Sequence, residues 1–221
     1  MTNFSTAEEN YIKCIYHLQQ SNGSVTTNEL AAMLRSKPAS VTDMLKKLKA
    51  KKVLYYEPYK DFTLTAEGKK TALAVVRRHR LWEFFLAEVL QFGWDEVHEV
   101  AEELEHVSSN KLIEKLDAFL KYPRFDPHGD PIPDKNGKIS MPQQICLSEL
   151  PASTAATVSA VADQSSALLE VLKEKNVAIG TRLEVKKKFS FDDSVEVKIK
   201  NKTVTLSKQL AQVIYVSRVV N

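Results

Sequence analysis

The hydrophobic pattern of this chain changes period once, and that change calls for two kinds of structure. Up to about residue 120 the apolar positions recur every three or four residues, as in Tyr11, Ile12, Ile15 and Leu18, the spacing of one helix face. From about Ile145 they alternate, as in Val195, Val197, Ile199 and then Val204, Leu206, the spacing of a half-buried strand. Between the two regimes, residues 122–151 hold six of the eight prolines, which break helices and ladders alike. The expected fold class is mainly α with a small β domain, the latter a small barrel with one helix near Ser165 to Lys175.

Local signals divide the helical part. Ser5 with Glu8, and Thr26 with Glu29, are capping boxes, so helices start after Ser5 and after Thr26, the first running to about Gln20 and the second ending near Arg35. Pro38 suits the first turn of a third helix, whose buried stripe is Val41, Met44, Leu45 and Leu48. Two short helices joined by a tight turn make a helix-turn-helix. The third helix would offer Lys37, Pro38, Ala39, Ser40, Thr42, Asp43, Lys46 and Lys47 to a major groove. The β-rich runs 53–56 and 62–65 read as a hairpin, or wing, with Lys60 near its tip.

Charge is segregated along the chain. Residues 1–80 carry 14 basic against 7 acidic side chains, residues 81–170 carry 6 against 16, and residues 171–221 carry 11 against 5. The first third suits a polyanion and the middle suits cations. The first ten residues lack a basic-then-apolar leader, and no stretch approaches the roughly 20 apolar residues that span a bilayer, so a cytoplasmic, non-membrane protein is expected. Cys14 and Cys146 read as reduced core residues.

The acidic middle also holds most of the histidines. Thr65 is expected to start a helix running to about Leu90, on which His79 and Glu83, four residues apart, share a face. A second helix, capped by Asp95, would carry His98, Glu102, Glu105 and His106 in one stripe. Such convergent nitrogen and oxygen donors are costly unless a divalent cation neutralises them. The zinc-protease pattern fails, because Glu102 stands where H-E-x-x-H needs its second histidine. Ser109 opens a further helix, whose apolar face (Leu112, Ile113, Leu116, Phe119, Leu120) suits either intrachain core or a subunit contact.

The runs TAEENYIKCIY, KPASVTDMLKKL, LTAEGKK, RRHRLWEFFL and VHEVAEELEHVSS resemble the diphtheria toxin repressor (DtxR/MntR) family over essentially the whole chain. The resemblance implies a homodimeric, winged-helix repressor without enzymatic activity that binds double-stranded operator DNA when loaded with manganese(II) or iron(II), with two metal sites per chain. It implies a winged-helix domain at 1–74, a helical dimerisation and metal-binding domain at 75–140, a linker at 141–149 and an SH3-like (FeoA-like) domain at 150–221. Carried over residue by residue, one site uses Asn10, Glu102, Glu105 and His106. The other uses His79, Glu83, His98 with Asp126 and His128 of the Asp126-Pro127-His128-Gly129 loop, and Asp163. Two positions depart from the iron-sensing pattern: Glu102 replaces a cysteine, and Asn10 a methionine; manganese-type members have aspartate at the latter. Asp126 likewise replaces a cysteine of manganese-type relatives, a hard donor for a soft one. Glu9 stands beside Asn10 as a substitute ligand. Two other readings are open at this point, a metal-independent winged-helix regulator and a metal-dependent hydrolase.

Overall fold

Residues 4–107, 109–162 and 164–218 are described by the computed structural model of the chain, and they fall into two units. The first comprises residues 1–79, 103–113 and 133–139, the second residues 80–102, 114–132 and 140–221. No helix among the described residues is long and apolar enough to cross a membrane.

In the first unit both capping boxes form. Ser5 caps α1 (Thr6–Asn22) and Thr26 caps α2 (Thr27–Met33), each with reciprocal bonds to the glutamate three residues on. Pro38 opens α3 (Pro38–Ala50). The wing is a short antiparallel pair, β1 (Leu54–Tyr55) and β2 (Thr63–Leu64), in which Leu54 faces Leu64. Ile12, Ile15, Leu30, Val41, Leu45, Leu48, Val53 and Phe62 form one fully enclosed cluster, so the helix-turn-helix and the wing share a core. At roughly 25 cal/mol per Å² of apolar surface removed from water, that shared core holds the outward face of α3 in place. α4 (Ala66–Glu88) starts at Thr65, whose hydroxyl accepts from the Gly68 N–H. A Cβ at Gly68 would lie 2.0 Å from the Val53 carbonyl oxygen, so only glycine lets α4 leave the wing there.

The second unit contains the later turns of α4, then α5 (Val97–Leu104) as far as Glu102, the second part of α6 (Asn110–Phe119), and a proline-containing loop. Two expectations are corrected. α5 ends at Leu104, so His98 and Glu102 share its face while Glu105 and His106 fall in the turn that follows. Asp95 lies two residues before α5 rather than at its cap; its side chain faces Lys173 at 3.5 Å.

The β part is a six-stranded antiparallel sheet in the order β3-β8-β4-β5-β6-β7. Its strands are β3 (Ile145–Cys146), β4 (Ala155–Val161), β5 (Arg182–Lys188), β6 (Val195–Ile199), β7 (Lys202–Leu206) and β8 (Ile214–Arg218). Alternation sends Val195, Val197 and Ile199 inward onto α7 (Ser166–Glu174) and α8 (Lys208–Val213), with Leu147, Leu169, Leu172 and Leu183 in the same core.

Candidate metal centres and nucleic-acid interface

On the first unit, Lys37, Pro38, Ala39, Ser40, Asp43, Lys46 and Lys47 are exposed and Thr42 is half-buried, as the outward face of α3 requires. A cleft of about 660 Å³ brings Thr42 and Lys46 together with Thr27 and Asn28 of α2 and with Tyr59 and Lys60 of the wing. Lys46 and Lys60 pair with Asp43 and Glu57 at 3.2 and 2.6 Å, but both pairs stand in solvent. Such pairs contribute little and are readily exchanged for phosphates.

The first unit also assembles a buried polar cluster from α1, α4 and the turn after α5. His106 Nδ1 lies 2.8 Å from Glu9 Oε2. A carboxylate can only accept, so Nδ1 donates, and in the neutral ring Nε2 keeps its lone pair. Nε2 is buried without a hydrogen-bond partner, 3.5 Å from Glu105 Oε1, and Asn10 Oδ1 is likewise buried and unbonded. Glu105 is fully enclosed and contacts Lys13 Nζ at 2.6 and 2.8 Å and His79 Nδ1 at 2.7 Å. Burial pushes its carboxyl up, yet His79 and Lys13 together hold it below its ordinary value. Glu9 is not an open donor: Arg78 holds its other oxygen at 2.7 Å. It orients His106 in the manner of a carboxylate behind a metal-binding imidazole.

In the second unit, Glu83, Asp126 and His128 each place a donor atom within 4.8 Å of the others'. The loop is shaped locally. Asp126 Oδ1 accepts the N–H groups of His128 and Asp130 at 2.8 and 2.9 Å. Gly129 has φ +89° and passes so close to β4 that a Cβ would lie 1.9 Å from the Ser159 oxygen. Val161 N–H then donates to the His128 carbonyl at 3.1 Å. His128 is fully buried with Nε2 2.7 Å from the Trp94 carbonyl, which fixes the proton on Nε2 and leaves Nδ1, without a hydrogen-bond partner, aimed at Glu83 Oε1 3.8 Å away. His98 Nδ1 approaches the same oxygen at 3.2 Å, and its Nε2 lies 3.6 Å from Glu102. Asp126 Oδ2 has no hydrogen bond, with Arg80 Nε 3.6 Å away. Burial, then the charges of Glu83 and Asp130, drive the Asp126 carboxyl well above its ordinary value despite Arg80.

The structure thus groups Glu105 and His106 in one unit and Glu83, His98, Asp126 and His128 in the other. Asp163 lies outside the described residues. Sequence reasoning missed Lys13, Arg78, Arg80 and Trp94, the groups that hold the donors; their partners lie tens of residues away, and no local pattern announces them.

Buried imidazole nitrogens without hydrogen-bond partners, on His106 and His128, beside the carboxylates of Glu105, Glu83 and Asp126, fit a divalent cation. A winged helix joined to such clusters defines a class: metal-responsive transcription regulators. Residues 3–62 match the iron-dependent repressor N-terminal DNA-binding domain, residues 65–134 the iron-dependent repressor metal-binding and dimerisation domain, and residues 145–218 the FeoA domain. Among relatives, an uncharacterised HTH-type transcriptional regulator of Methanocaldococcus jannaschii is 36% identical over 118 residues, 53% of this chain and 94% of its own length. The HTH-type transcriptional regulator MntR of Oceanobacillus iheyensis is also 36% identical over 118 residues, 53% of this chain and 80% of its own. A solved manganese-dependent transcriptional repressor in complex with manganese superposes with a TM-score of 0.85 at 33% identity, covering 96% of this chain and 100% of that one. The chain belongs to the iron-dependent, or diphtheria toxin, repressor family of metal-dependent DNA-binding transcriptional repressors, whose members are regulators rather than enzymes.

Proposed function

We propose that this chain is a manganese(II)- or iron(II)-responsive repressor that binds double-stranded operator DNA as a homodimer in the cytoplasm. The observation that carries the metal assignment is the pair of histidines with fixed tautomers. His106 Nε2 and His128 Nδ1 are both buried, both lack a hydrogen-bond partner and both lie next to carboxylates. Glu105, His106 and Asn10 would hold one ion; Glu83, His98, Asp126 and His128 would hold another. His79, 2.7 Å from Glu105, and Glu102, 3.6 Å from His98, join these sets by resemblance to the family and by that proximity, and Asp163 by resemblance alone. Neither cysteine belongs to these sets, and all-nitrogen-and-oxygen donors suit manganese(II) and iron(II). When bound, the ion supplies positive charge that relieves the repulsion among the buried carboxylates.

The chain's own residues do the rest. Lys46, Lys47 and Lys60 neutralise phosphates on either side of a groove occupied by α3. In the second unit Phe119 and Tyr122 are about two-thirds exposed, and Val89, Leu90 and Phe92 are also exposed, apolar surface that supports a subunit contact. The test is DNA binding by chelator-treated protein titrated anaerobically with manganese(II), iron(II) and zinc(II) against promoter fragments. Activation by manganese(II) or iron(II) is expected. Tight binding that ignores metal would instead mark a constitutive winged-helix regulator.

A further inference from the structure

Lys13 is the one basic side chain of α1 enclosed in the core of the first cluster, 7% exposed, and it grips both oxygens of Glu105, which is fully buried. It lies three residues after Asn10, so the two project from one side of α1. Glu105 Oε1, which Lys13 Nζ approaches at 2.6 Å, is also the oxygen 3.5 Å from the unbonded Nε2 of His106. The ammonium therefore occupies the oxygen that a cation coordinated by His106 would share. The other acid of the cluster, Glu9, is matched by Arg78. In this state each carboxylate of the cluster already has a cation supplied by the chain.

We infer that Lys13 is a resident counter-cation that holds Glu105 in the metal-free protein and must give up Oε1 when metal enters, so that it sets the metal concentration at which the first site fills. The inference rests on the reading of Asn10, Glu105 and His106 as metal donors. The physical argument is competition for one buried carboxylate. In a water-poor site the ammonium and a divalent ion cannot both sit within contact distance of Oε1 without strong mutual repulsion. Lys13 keeps Glu105 ionised and positioned while metal is scarce, at the expense of affinity when metal is present. It is a positioning residue, not a ligand.

The experiment uses the full chain, stripped of metal, with manganese(II) as the probe. Free manganese is counted by electron paramagnetic resonance during titration of the parent, Lys13→Met, Lys13→Gln and Lys13→Arg, and thermal unfolding is measured without metal. Removing the ammonium should tighten the first site at least about tenfold, a change of about 1.4 kcal/mol. It should also lower the melting temperature of the metal-free protein, because Glu105 is left buried without its partner. Lys13→Arg should resemble the parent. These opposite movements separate displacement from a structural role, which would weaken metal binding and stability together. Unchanged or weaker manganese binding in Lys13→Gln, which keeps a polar side chain if Lys13→Met fails to fold, overturns the inference and leaves the proposed function intact. A parent that takes up no manganese overturns both.

Discussion

Replacing Asp126 by asparagine should make the metal-free protein more stable while making it a poorer metal binder. The carboxylate is 4% exposed, and its Oδ2 has no hydrogen bond while it faces Glu83 across the loop. The two N–H groups of His128 and Asp130 bond Oδ1, which an amide retains. Arg80 loses a partner at 3.6 Å but keeps Asp130 at 3.1 Å and the Pro131 carbonyl. The amide nitrogen that replaces Oδ2 can donate to the Glu83 carboxylate, whose donor atom lies within 4.8 Å, turning a repulsive contact into a hydrogen bond to a charged group worth about 1.5–3 kcal/mol. Subtracting the weakened Arg80 contact leaves a gain of about 1–2 kcal/mol, or about 2–8 °C at the usual 2–4 °C per kcal/mol for a chain this long. The sign with pH follows from the raised carboxyl. The folded protein holds a proton that the unfolded chain has released, so metal-free stability falls as pH rises from the ordinary value of 3.8 through the raised one. Asp126→Asn should flatten that slope. Thermal unfolding of chelator-treated parent and variant from pH 5 to 8, repeated with manganese(II), reads all of this. Losing a neighbour of a ligand costs metal affinity about 10–100-fold, so losing a donor should shrink the metal-induced rise in melting temperature at least as strongly. A variant that melts below the parent at pH 8 without metal would refute the argument that this carboxylate is a strained, charge-crowded group.

Two further outcomes follow from other parts of the molecule. Gly129→Ala combines positive φ with a Cβ driven into the Ser159 carbonyl, and should cost about 2–5 kcal/mol in urea denaturation; a parent-like midpoint would mean the loop moves freely away from β4. Lys47→Ala, at an exposed position of α3, should weaken operator binding at saturating metal and reduce the slope of log K against log salt by about 0.9 per subunit, about 1.8 for the homodimer; an unchanged slope would place Lys47 off the phosphates.

The local architecture was written in short-range signals. The Ser5–Glu8 and Thr26–Glu29 boxes formed as their spacing required, and the change of period near Ile145 matched the first strand of the sheet. The site was less legible. Periodicity carried the second histidine-rich helix through His106, whereas α5 stops at Leu104 and hands Glu105 and His106 to a turn. Nothing in a spacing rule shows that His106 is braced by Glu9, 97 positions away, or that Glu105 is held by Lys13, 92 positions away. Composition gave the kinds of donor in the clusters; only the folded chain shows which lone pairs remain open, because that depends on carbonyls such as that of Trp94, which carry no sequence signature.

The attachment of the Asp126–Asp130 loop to β4 has a meaning in coordination chemistry. Gly129 lies against Ser159, Val161 donates to His128, and Gln164 donates to Asp130 at 3.0 Å. A chelating agent owes much of its strength to a rigid frame that keeps its donor atoms aligned before the ion arrives. Here the frame is the six-stranded sheet. With Asp126 and His128 as the proposed donors, its removal would leave them on a slack tether, and the domain would set how tightly metal is held even where it donates no ligand.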